Sequence, residues 1–120
     1  MKFLVFFLGL VALVAADTYS TENDDLDIEA VVADKATHQG FIDCFLDKKP
    51  CDEVQADFKK DLPEAVKQAC AKCTDAQKHI FNRFLAATKE KKPDGYSALK
   101  DKYDPDGKHF ATLEAAIANA

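Results

Sequence analysis

Four cysteines and three histidines are the side chains of this sequence with the widest chemical reach. Cys70-Ala71-Lys72-Cys73 has the C-x-x-C spacing of a redox pair, and His79 follows closely enough to join the same two sulfurs around zinc. The redox reading needs a βαβ setting, and strand signals are nearly absent: no segment alternates apolar and polar residues with β-branched side chains. The zinc reading competes with disulfide bonding, for which an even number of cysteines supplies a full set of partners. His38, His79 and His109 are scattered, with no acid or nucleophile at a telling spacing. Asp104-Pro105-Asp106-Gly107 has the acids and glycine of a calcium loop, but Lys102 takes its first ligand position and Leu113 its twelfth, so it reads as a turn. The expectation is a chain without catalytic residues, metal or cofactor, for which an enzyme is the least favoured class.

The elements that must position these residues begin after residue 16. Lys2 supplies a positive charge, Phe3 to Val14 is an unbroken apolar run, and Val14-Ala15-Ala16 closes it with small residues. That is the layout of a secretory leader cleaved after Ala16. Spanning a bilayer takes about 20 apolar residues, and this run is shorter, so no membrane insertion is expected. Residues 17–120 then form one domain, exported and extracellular. Without Lys2 the domain carries 15 basic against 21 acidic residues, a net charge of −6. Such a balance argues against nucleic acid, whose phosphates must be neutralised by Lys and Arg, and against an anionic membrane surface. The clusters Lys59-Lys60 and Lys89 to Lys92 read as solvated helix faces.

In an exported chain Cys44, Cys51, Cys70 and Cys73 point to disulfides. Three pairings are possible, and the spacings favour neighbours, Cys44 with Cys51 and Cys70 with Cys73. Rings that small would contribute roughly 2 to 2.5 kcal/mol each by loop entropy. They pin corners without tying distant segments together, so packing must hold the fold.

Helix signals recur along the domain. Tyr19 to Asp27 is acidic and expected to be loose. Asp27 can cap a short helix over 28–33, and a second is expected from Lys35 to Asp47, with Phe41, Ile42, Phe45 and Leu46 at helical spacing. Asp52 can cap a third helix to Lys60 and Asp61 a fourth, with Pro63 in its first turn. Thr74 and Gln77 form a capping box for the longest helix, to Lys91, whose Ile80, Phe81, Phe84, Leu85 and Thr88 make one apolar stripe. Pro93-Asp94-Gly95 reads as a break. Tyr96, Leu99 and Tyr103 give the next helix its inner face, and 110–118 reads as terminal. The fold class is all-α, a compact bundle of about six short helices. Taken singly, the apolar residues are best read as core. Together, Phe41, Phe45, Phe81, Phe84 and Tyr96, from separate helices, could line one cavity, to which Val66, Ile80 and Leu99 add aliphatic wall. Tyr96 and Tyr103 have the apolar body and polar tip suited to its mouth.

The full cysteine pattern, C-x6-C-x18-C-x2-C, resembles that of the insect chemosensory proteins, also called OS-D-like proteins or pherokines. Flanking residues agree: Tyr19-Ser20-Thr21, Leu62-Pro63-Glu64-Ala65 before the third cysteine, Ala71-Lys72 between the last two, Lys92-Pro93, and Lys102 to Gly107. The resemblance runs from Tyr19 to Phe110 without a gap. It implies about six helices, neighbour-paired disulfides, and an apolar channel that takes long-chain alcohols, esters, fatty acids and related odorant-like compounds. Three positions depart from it: Tyr96 where many members have Trp, Phe41 where Tyr is common, and Lys49 for a frequent Gly before Pro50. The expected protein is a monomeric carrier of a small hydrophobic ligand. The competing class is an extracellular signalling or interaction protein, partnered by a receptor or another extracellular protein.

Overall fold

The computed structural model of the chain describes residues 18–120, so the leader expected over 1–16 lies outside the described residues. Among the described residues there are six α-helices and no strand. They are α1 Ile28–Ala33, α2 Lys35–Phe45, α3 Glu53–Lys67, α4 Asp75–Lys91, α5 Pro93–Tyr103 and α6 Phe110–Ile117. None is long and apolar enough to cross a membrane.

Side chains just ahead of the helices set where they begin. The Asp27 carboxylate accepts from the Ala30 N–H, and that of Asp34 from Ala36, which starts α2 one residue after α1 has ended. Asp52 with Gln55, and Thr74 with Gln77, form complete capping boxes at α3 and α4. The Asp104 carboxylate lies outside α6 and yet accepts from the N–H groups of Lys108, His109 and Phe110, at 2.9 to 3.0 Å. It ends α5, crosses the turn at Gly107 (φ 69°), and satisfies the free donors where α6 begins.

Four local expectations change. The third and fourth expected helices are one, because α3 runs through Pro63, so Asp61 is not a cap. An interior proline costs about 3 kcal/mol; Phe58 before it and Ala65 and Val66 after it are all buried, and this holds both halves against the core. Pro93 begins α5 rather than breaking the chain, since a first-turn proline gives up no helical hydrogen bond. Gly95 stands in that first turn where a Cβ would meet Ile42 Cγ2 at 3.3 Å, so glycine lets α5 close on α2. Helix α2 stops at Phe45, two residues short of Asp47, whose φ of 63° cannot continue a helix.

The fourth change concerns the segment before α1, which is tied down. Tyr19 donates its N–H to the Lys72 carbonyl (2.9 Å) and its hydroxyl to Glu64 (2.8 Å), while Gln77 donates to the Ser20 carbonyl. Asn23 donates to Asp57 and Thr74 to Asp24. These bonds strap the segment across α3 and the start of α4. The disulfides pair neighbours as expected, Cys44–Cys51 between α2 and α3 and Cys70–Cys73 in the turn after α3, each with Cα atoms 5.0 Å apart. Ala69 and Cys70 both have positive φ, so the C-x-x-C pair sits on a left-handed turn and not on a helix. In the packing, α4 contacts α1, α5 and α6, and α3 contacts α2, α5 and α6, leaving the core between these two long helices.

Candidate functional site

The apolar faces of five helices converge on one small cavity. Phe45 comes from α2, Leu62, Ala65 and Val66 from α3, and Phe81, Phe84 and Leu85 from α4. Leu99 and Tyr103 on α5, with Phe110 and Leu113 on α6, complete the lining. The cavity has a volume of about 20 Å³, and no polar atom presents surface to it. A second apolar cavity of about 10 Å³ lies toward α1, lined by Leu26, Ile28, Phe41, Phe45, Phe58, Ile80, Phe81 and Phe84. Phe45, Phe81 and Phe84 belong to both.

The rings between the cavities meet edge to face, the arrangement that brings the positive edge of one to the negative face of the next. Phe45 lies 5.5 Å from Phe84 at 70° and 6.0 Å from Phe41 at 80°. Phe81 meets Phe58 at 6.0 Å and 80°. Behind Phe84 stands His38, 5.5 Å away at 74° and 1 % exposed. Its Nε2 is 2.9 Å from the hydroxyl of Thr88, itself fully buried. Burial, with the nearby Lys92 and Lys91 charges, pushes the His38 pKa down and favours the neutral ring.

Polar groups gather at the outer end of the larger cavity, where Leu62 and Tyr103 are only half-buried. The Tyr103 hydroxyl donates to the Phe45 carbonyl at 2.6 Å. Burial and the Asp47 charge push its pKa up to about 12. Lys102 lies over the Tyr103 ring, 5.6 Å from the centroid, and both Lys102 and Lys59 bond Asp47. Those hydrogen bonds, Lys102 first, hold the Asp47 carboxyl down at about 2.

Of the residues proposed from the sequence, Phe45, Val66, Phe81, Phe84, Leu99 and Tyr103 line the larger cavity, and Phe41 and Ile80 the smaller. Tyr96 reaches neither. Its hydroxyl is turned outward to Glu114 (3.0 Å), its ring packs edge-on to Phe110, and Lys89 and Lys100 lie over it. Leu62, Ala65, Leu85, Phe110 and Leu113 are additional lining residues. Ala65 and Val66 stand three and four residues after Leu62, the helical spacing by which the sequence could have found Leu62 and Ala65. Among the described residues no three His, Cys, Asp or Glu side chains gather to hold a metal.

The comparisons with known proteins agree with this architecture. A model of the insect pheromone-binding family, A10/OS-D, matches residues 19–111. The chain belongs to that family. It is similar to the ejaculatory bulb-specific protein 3 of Drosophila melanogaster, 32 % identical over 91 % of this chain and 90 % of that one. It is also 33 % identical to allergen Tha p 1 of Thaumetopoea pityocampa, over 88 % of this chain and 86 % of the relative. Among solved structures, a chemosensory protein in complex with bromo-dodecanol has the same fold, with a TM-score of 0.76 at 22 % identity. The match covers 82 % of this chain and 98 % of that one. The six helices and two local disulfides are thus those of the A10/OS-D fold.

Proposed function

We propose that this A10/OS-D protein is a secreted carrier that buries the apolar tail of one small molecule between α3 and α4 and makes or breaks no bond. The observation that carries the reading is the larger cavity, a purely apolar space at the meeting point of five helices. The solved structure of a chemosensory protein with bromo-dodecanol supports the ligand class, a long-chain alcohol, ester or fatty acid. The charged leader and apolar run support secretion.

The volumes say how such a guest enters. Benzene occupies an apolar cavity of about 150 Å³, whereas this one has about 20 Å³. A long chain must therefore displace side chains as it binds, and the site grows around its guest. Burying ten methylenes yields on the order of 8 kcal/mol gross. Chain ordering and ring displacement consume part of it, leaving micromolar or weaker affinity, suited to a carrier that later releases its load. Tyr103, at the half-buried end beside Lys102, Lys59 and Asp47, is the group that would orient a polar head.

The test is displacement of an environment-sensitive fluorophore from the oxidised protein by alcohols, acids and esters of increasing chain length. An extrinsic reporter is needed because the sequence has no Trp. Saturable one-to-one binding that strengthens with each added methylene is expected. Absence of saturable binding by correctly disulfide-paired protein would overturn the carrier reading.

A further inference from the structure

The two apolar cavities adjoin each other across a shared wall. The larger is bounded on its outer side by half-buried Leu62 and Tyr103, and the smaller on its own by half-buried Leu26. Only Phe45, Phe81 and Phe84 line both, so these rings stand between them. The three are not equally held. Phe84 meets the rings of His38, Phe41 and Phe45, and Phe45 meets those of Phe41 and Phe84. Phe45 also belongs to the residue whose carbonyl Tyr103 holds at 2.6 Å. Phe81 meets a single aromatic ring, that of Phe58. Turning Phe81 therefore gives up the fewest ring contacts and opens the same passage.

We propose that the Phe81 ring, shared by both cavities, is the movable partition that fixes how long an apolar chain the core accepts. The inference rests on the carrier reading and deepens it. A chain entering beside Tyr103 grows into the larger cavity until its end meets Phe81. Longer chains must turn the ring away from Phe58 to reach the space lined by Ile28 and Ile80. Phe81 is thus a specificity-determining residue, whereas Leu85, which lines the larger cavity and an outer groove beside Asn82 and Lys89 but not the smaller cavity, is wall.

The experiment compares wild type, Phe81→Leu, Phe81→Trp and Leu85→Ala by fluorophore displacement with primary alcohols of stepwise increasing length, after circular dichroism has shown each to be folded. In wild type the affinity should climb about fourfold per methylene, the value of one buried CH₂, and then stop. Phe81→Leu should carry the climb to longer chains, Phe81→Trp should end it sooner, and Leu85→Ala should leave the stopping length unchanged. An unchanged stopping length in folded Phe81→Leu, or an equal lengthening in Leu85→Ala, overturns the partition while leaving the carrier standing. Wild type that binds no alcohol saturably overturns both. Wild-type NMR contacts need no variant. The terminal methyl of an alcohol short of the stopping length should touch Leu85 and Leu99 only, and that of a longer one Ile28 and Ile80. Contacts to Ile28 or Ile80 from the short alcohol would refute the proposal.

Discussion

Thr88→Val keeps a side chain's shape and removes one oxygen, and the surroundings of that oxygen make the consequence calculable. Thr88 has a single hydroxyl proton, donated to the Phe84 carbonyl at 2.7 Å. At the 2.9 Å contact with His38 the hydroxyl must then accept, and Nε2–H of His38 must donate. Valine strands that N–H in a core where His38 is 1 % exposed. An unsatisfied buried donor costs about 1–3 kcal/mol, and loss of the hydroxyl's bond back to its own helix adds little. For a domain of this size the melting temperature should fall on the order of 10 °C. The double variant His38→Leu/Thr88→Val removes donor and acceptor together and should regain most of the loss, because replacing both partners by apolar groups is close to neutral. Thermal unfolding by circular dichroism is the assay. A single variant melting within 2 or 3 °C of wild type, well under the drop expected for 1 kcal/mol, would refute the hydrogen-bond assignment. So would a double variant no more stable than the single one.

The same geometry gives pH a direction. Burial, then the charges of Lys92 and Lys91, lowers the His38 pKa in the folded chain. As pH falls below the ordinary histidine value of about 6.5, the unfolded chain takes up this proton first and stability declines toward the folded pKa; above that range its contribution is complete. Wild type should therefore lose thermal stability as pH falls through and below the ordinary histidine range, and His38→Leu should flatten that slope. An equal slope in both would remove His38 as its source.

All three tyrosines have raised pKa values: Tyr19 through burial and Glu64, Tyr96 through burial and Glu114, and Tyr103 through burial and Asp47. Phenolate absorbance should stay low at about pH 10, where free tyrosine is half ionised, and stability should fall as pH rises beyond it; a full titration of folded protein there would contradict their burial. Asp104→Ala frees three N–H groups at the start of α6, so amide exchange in α6 should quicken well beyond that in α4, and alcohols should bind less tightly because Phe110 and Leu113 line the cavity. Since three backbone donors overcome the burial that opposes its charge, Asp104 has a lowered pKa, and its stabilising effect should persist above the ordinary carboxylate range and fade as pH falls below it. Tyr103→Phe removes the bond to the Phe45 carbonyl and should cost about 1 kcal/mol; if its hydroxyl orients the ligand head, alcohol affinity should drop several-fold while hydrocarbon binding stays unchanged.

What the residues revealed in advance divides by range. Caps are local, and Asp27, Asp52 and Thr74 announce helix starts that the structure reproduces. The cysteine pairing was legible because spacing and flanking residues agree with a known pattern. Pro63 misled because its local penalty is outweighed by burial of Phe58, Ala65 and Val66, and no windowed reading weighs contacts with other helices. The strap from Tyr19 to Leu26 was hidden for the same reason: its partners Lys72, Glu64, Asp57 and Gln77 are distant in sequence. Apolar stripes placed most of the cavity wall, yet could not tell Tyr96 from Tyr103. Both sit on one face of α5, and only the positions of Glu114 and of the Phe45 carbonyl decide which hydroxyl turns out and which caps the cavity.

The distribution of constraints matches a core that must yield. Both disulfides close short rings at the corners of α2 and α3 and of α3 and α4, and neither crosses the cavity. The strap ties the α3–α4 corner from outside, and Asp104 fixes only the near end of α6. Between these anchors the inner walls of α3, α4 and α6 meet through carbon alone. Dispersion contacts of that kind are individually weak and carry little direction, so a methylene chain can replace a ring's neighbours at small net cost. A hydrogen-bonded core would surrender specific partners at each step of the same movement. The buried side-chain pair His38 with Thr88 stands behind Phe84. It stiffens one side of the aromatic wall, and the yielding side is left to Phe81.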